Sequence, residues 1–126
     1  PHLGIGFDSN PVAAAIVPPA GRIEGSGTDL IVDPAQNNAF RAINRAWKAG
    51  ATVHRVPATE KTGPRFAIRG LSEAAQAEMV ESLALAAERG TAADAPLRRP
   101  RVGLFRPWGS SMDEGWTRLL LEQYGF

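Results

Sequence analysis

The chain contains no cysteine, which excludes a disulfide framework, a thiolate zinc site and a cysteine nucleophile within these residues. That absence leaves the compartment open. Histidine is almost as scarce: His2 and His54 are the only imidazoles, and neither stands in a His-x-x-Glu or His-Glu-x-x-His arrangement that would place metal ligands on one helical face. No charge sign dominates either. Fourteen Lys and Arg against 13 Asp and Glu leave a net charge of +1, so no strong field draws the protein toward nucleic acid or an anionic membrane, and neither partner is expected. No run approaches the ~20 apolar residues of a membrane span; the longest, Val12 to Pro19, is alanine-rich and closed by two prolines. An initiator Met and a signal peptide are also missing, and both ends are expected to be cuts from a longer chain.

What is present fits one domain of 126 residues. Residues 1–28 read as an irregular lead-in rich in Gly, Pro and Ala, with at most a weak strand at Ala13 to Val17. Residues 29–90 read as a βαββα unit. Leu30, Ile31 and Val32 form an apolar run between two aspartates, and Asp33-Pro34 suits a helix start. Phe40, Ile43 and Trp47 then recur at helical spacing up to Gly50, where a left-handed cap is expected. The strand ATVHRV follows, and the order strand, helix, glycine, strand predicts a βαβ unit whose strands run parallel. RFAIRG sets Phe66 and Ile68 on one face of a third strand, a hairpin mate of ATVHRV. Ser72 caps a helix predicted to run to Gly90 with Ala75, Met79, Leu83 and Ala86 inward and Glu73, Gln76, Glu81 and Glu88 outward.

Residues 91–100 read as a linker, and its short basic run Arg98-Arg99-Pro100-Arg101 as a solvated surface. Residues 101–126 read as the first strand and helix of a truncated α/β unit. In that unit Arg101 to Phe105 is the strand, Ser111 and Glu114 form a Ser-x-x-Glu capping box, and Met112, Trp116, Leu119 and Leu120 are available to the sheet. The class expected is α/β, with a partly parallel sheet of three or four strands and about three helices.

Few groups are candidates for chemistry. A loop between a strand and a helix is where open α/β sheets bind ligands, which singles out Arg106, Trp108, Ser110 and Ser111 as a small-molecule or anion site. The loop is neither a GxGxxG turn nor a phosphate-cradling GK[ST] loop, and a plain strand-to-helix turn is the competing reading. Asp113 and Glu114 open a helix, where the macrodipole already favours negative charge. His54 reads as a half-buried or surface sheet residue, and the Gly25-Ser26-Gly27 triplet as a flexible turn.

The segment RVGLFRPWGSSMDEGWTRLLLEQYGF resembles one in large bacterial peptidases of the zinc carboxypeptidase A-like family, most specifically at Met112 to Arg118. DPAQNNAFRAINRAWKAGATVHRV is similar to an upstream region of the same proteins. The resemblance implies a noncatalytic accessory region with an incomplete flavodoxin-like, glutamine amidotransferase-like fold. It implies no cofactor in this chain, with zinc held by the parent's catalytic domain, and as partner that upstream domain. The family's His-x-x-Glu pair, later His and catalytic Glu have no counterpart here, nor does the amidotransferase cysteine, so no catalytic residue carries over. A truncated strand and helix also lead us to expect self-association into a two-fold homodimer.

Overall fold

The computed structural model describes residues 19–92, 94–106, 108–109 and 111–126. The protein is α/β, with three helices and a mixed sheet of five strands among the described residues, one strand more than the most expected. The elements are β1 (Arg22–Gly25), β2 (Asp29–Val32), α1 (Asn37–Lys48), β3 (Thr52–Val56), β4 (Arg65–Arg69), α2 (Glu73–Ser82), β5 (Ala86–Gly90) and α3 (Met112–Gln123). The proposed strand at Ala13 to Val17 lies outside the described residues, while β1 falls in the stretch read as irregular.

The strand order is β1-β5-β2-β4-β3. β4 is antiparallel to both β2 and β3, and β2 is antiparallel to β5. Consequently the strands joined by α1 run parallel but are separated by β4, and those joined by α2 run parallel but are separated by β2. These are two interleaved split βαβ units. The parallel run expected for β2 and β3 is therefore present, with β4, the expected hairpin mate of β3, standing between them. Only β1 and β5 pair in parallel among the described strands. The flavodoxin-like identity, which would bring a parallel sheet, finds no support in this pairing.

Alternation along the strands makes two unlike faces. Leu30, Val32, Val53, Ile68 and Ala87 point to the side covered by α1 and α2, where Ala39, Ala42, Ile43, Ala46, Met79 and Val80 complete the main core. Small alanines let α1 approach the sheet closely, so its inward face is centred on them. Phe40 and Trp47, expected on the inward stripe, flank it instead, with Phe40 exposed and Trp47 half-buried. The start of α1 is also displaced from the expected position. Asp33 accepts the Ala35 amide in a turn before the helix, and Gln36 is the N-cap residue. Gly50 does take the left-handed conformation, with φ +81°.

Two further expectations are corrected around α2. Ser72 does cap it, its hydroxyl accepting the Ala75 amide at 3.2 Å. The helix ends at Ser82 rather than Gly90, and Ala84 turns the chain at φ 50°. The alanine-rich segment that follows becomes β5, because Leu85 and Ala87 there alternate into the core and the ladder fills the gap between β1 and β2. Tertiary packing outweighs the helix propensity of alanine. Gln76, expected outward, is buried at 2% exposure. Its Nε2 donates to the carbonyls of Thr28 and Leu71, tying α2 to the turn that precedes β2.

The β1–β2 turn needs its glycines. Gly27 sits at φ +141°, and a Cβ there would overlap the Gly90 carbonyl. The triplet read as a flexible turn is a tightly fitted one.

Candidate functional site

Two regions hold the groups that could carry function: the second face of the sheet, and the C-terminal stretch from residue 98 onward.

The second face carries Asp29, Ile31, Thr52, His54, Val56, Arg65, Ala67, Arg69 and Glu88. The segment after β5, read as a linker, crosses it as a strap. Ala92 packs with Ile31, Ala67 and Val56 in a small second core. Asp29 is fully buried beneath it. Its carboxylate accepts Arg69 Nε at 3.0 Å and Nη2 at 2.7 Å, and the Ala92 amide at 2.8 Å. The Arg69 guanidinium also donates to the Ala92 carbonyl. The hydrogen bonds from Arg69 hold the Asp29 pKa down at about 2, and the Ala92 amide adds to this against the opposing cost of burial. Such a carboxylate is a fixed anion with its lone pairs in use, poorly suited to accept a proton at neutral pH.

His54 lies in the sheet as expected, but it is buried at 4% exposure rather than half-buried or at the surface, because the strap covers it. Its Nδ1 lies 2.6 Å from the Asp94 carbonyl, which can only accept, so Nδ1 carries the proton. Nε2 then accepts the Thr52 hydroxyl at 3.0 Å. Beyond His54 the strap reaches the outer edge of β3, where the Leu97 amide donates to the Val53 carbonyl at 2.7 Å. Nδ1 thus holds the strap, while the bond to Thr52 fixes the ring on β3. At the other end of this face Arg65 meets Glu88 at 2.6 Å. They line a cavity of about 200 Å³ with Ile31, Asp33, Gln36, Thr62 and Ala86. Its two acidic groups and one basic group give no concentrated field of either sign.

The C-terminal stretch departs furthest from expectation. Residues 101–105 form no strand and are exposed throughout. The edge of β3, which they would have needed, is already taken by Pro96 and Leu97. Of the loop residues singled out as a ligand site, Arg106 and Trp108 are exposed and Ser110 lies outside the described residues. Ser111 is half-buried, and its hydroxyl accepts the Glu114 amide at 3.3 Å as the helix cap. The capping half of the motif is formed.

α3 itself is inside out. Met112, Trp116, Leu119 and Leu120 recur three and four apart on one stripe, yet all are exposed, and Trp116 stands 61% open. None of them reaches the sheet, contrary to expectation. The opposite side, with Glu114, Arg118, Leu121 and Glu122, faces Val102, Leu104 and Phe126 of its own chain. There the Glu114 side chain is only 11% exposed and lies 3.7 Å from Arg118. The helix is tied to the domain at its C-terminal end. Asn44 Nδ2 donates to the Tyr124 carbonyl at 2.9 Å, and Phe126 closes an apolar cavity of about 220 Å³ with Phe40, Ile43, Trp47, Phe66 and Pro100.

Among the described residues no three His, Asp or Glu side chains stand together as a metal site, and no helix is long and apolar enough to cross a membrane. The outward orientation of α3 is the feature that sequence reasoning missed: periodicity marks which stripe is apolar and carries no signal of what covers it. No protein-family model, no curated protein and no solved structure matches this chain.

Proposed function

We propose that this chain is a noncatalytic accessory domain of a zinc carboxypeptidase-like metallopeptidase, with zinc and the hydrolytic groups supplied by the catalytic domain of the parent chain. One observation supports the reading above the others. α3 carries Met112 to Arg118, where the resemblance to those peptidases is most specific, and it buries no residue of its own. A helix that keeps its apolar stripe outside the core is built for contact with another body of protein. The buried polar groups of the sheet serve the same reading, since Asp29 and His54 are both engaged in holding the strap.

Metal analysis of the dialysed protein, together with hydrolysis assays on peptides bearing a C-terminal chromogenic residue, tests this function. We expect neither stoichiometric zinc nor cleavage. One equivalent of zinc accompanied by cleavage would refute the accessory role. The parent assignment is tested separately by the reading frame, which is expected to encode a His-x-x-Glu pair upstream; a frame without that pair overturns it.

A further inference from the structure

We infer that the α3 stripe pairs with the same stripe of a second copy, as an antiparallel helix pair about a two-fold axis. The inference rests on the accessory reading only in giving that role a form, namely joining two parent chains.

Four observations carry it. The stripe is uncharged: Met112, Trp116, Leu119, Leu120 and Gln123 lie within about 100° of the helix circumference, and the charges of Glu114, Arg118 and Glu122 fall on the opposite side. No like charges would meet across the axis. Secondly, the stripe is self-complementary. An antiparallel pair centred between Trp116 and Leu120 sets each tryptophan against the partner's Leu120 and each Asp113 against the partner's Gln123, which can donate to it. Antiparallel helices also place opposite dipole ends together. Thirdly, the area suits a pair that forms at high concentration and parts on dilution. Given the exposures of the four apolar stripe residues and side-chain areas of about 200 Å², they offer roughly 500 Å² per chain, against the about 800 Å² per partner of a standard stable interface. Finally, the stripe holds large anchors, tryptophan above all, of the kind that dominate binding energy.

Light scattering across a dilution series reads the result directly. We expect twice the 13.4 kDa chain mass at ~100 µM, falling toward the single mass on dilution. Leu120→Lys is expected to raise the dissociation constant about thirtyfold or more with unchanged thermal melting of the diluted monomer, whereas Lys61→Glu, on the distant β3–β4 loop, leaves it unchanged. Orientation is read by cross-linking, which the absence of native cysteine makes clean. Asp113→Cys mixed with Gln123→Cys should form a disulfide-linked pair, and Gln123→Cys alone should not. A single-chain mass at every concentration overturns the inference, whether α3 then proves protected from hydrogen exchange within its own chain or binds lipid vesicles. Self-linking of Gln123→Cys overturns the antiparallel arrangement. A monomer that also lacks zinc and cleavage would refute pairing and leave the accessory function standing.

Discussion

α1 and α3 are both twelve residues long and both amphipathic, yet they are used in opposite ways. α1 turns Ala39, Ala42, Ile43 and Ala46 onto the sheet and leaves Arg45 and Lys48 exposed. α3 turns glutamates and an arginine toward its own chain and leaves tryptophan, methionine and leucine in water. The difference teaches that the domain has two kinds of apolar surface. One, between the sheet and the first two helices, supplies the free energy of folding; the other contributes little to it and is available for association.

Core and stripe are separated most sharply by paired truncations. Ile68→Ala, at a fully buried position of β4, is expected to cost about 3–4 kcal/mol. Leu120→Ala should change the stability of the diluted monomer by less than about 0.5 kcal/mol. Urea melts of both at low protein concentration check this, and equal losses would erase the distinction.

A second test lies in the strap. Asp29→Ala leaves the Ala92 amide and the Arg69 guanidinium without their partner and is expected to cost about 3 kcal/mol. Acid should reproduce part of the effect. The Asp29 pKa is depressed to about 2 in the folded protein, so its stabilisation is present above the unfolded value near 4 and is lost as pH falls from there toward 2. Arg69 is 41% exposed, and water screens the pair, which reduces this acid-sensitive contribution to about 1 kcal/mol. Melting midpoints from pH 5 to pH 2, compared between the parent protein and Asp29→Ala, should show a steeper fall in the former.

The smallest effect divides the two capped helices. Ser72→Ala removes a cap from a helix packed in the core and is expected to lower global stability by about 1 kcal/mol. Ser111→Ala removes the same kind of cap from α3, whose fraying exposes no core, so the unfolding midpoint should hold while amide exchange at the first turn of α3 accelerates. A shift of the midpoint would mean that α3 folds as one unit with the sheet.

Much of the local structure was legible in the sequence. The run at Leu30 to Val32, the pair Phe66 and Ile68, the left-handed Gly50 and the caps at Ser72 and Ser111 all lie where pattern and turn chemistry put them. The β3–β4 hairpin was legible as well, but the full strand order was not, because the pairing of β4 with β2 joins segments that no local residue links. β5 was missed for a physical reason: Ala84 to Ala87 favours a helix in isolation and becomes a strand only because Leu85 and Ala87 find the core. Gln76 was placed on the wrong side since its burial depends in part on the carbonyl of Thr28, 48 residues away. At the proposed ligand loop, the cap formed by Ser111 was readable from the Ser-x-x-Glu spacing. The orientation of the helix behind it depends on the Asn44–Tyr124 bond and on Phe126, which no periodicity encodes.

The strap also braces the sheet from one strand to another. From β5 the chain crosses the second face through Ala92 and Asp94 and reaches the outer edge of β3. Three interstrand spacings of about 4.8 Å separate β5 from β3, a width of roughly 14 Å. Sliding β3 along its neighbour would have to break the Leu97–Val53 and Asp94–His54 bonds at one end of the brace, or the Ala92–Asp29 bond at the other. The segment thus locks the register of strands that the ladder alone would hold only pairwise.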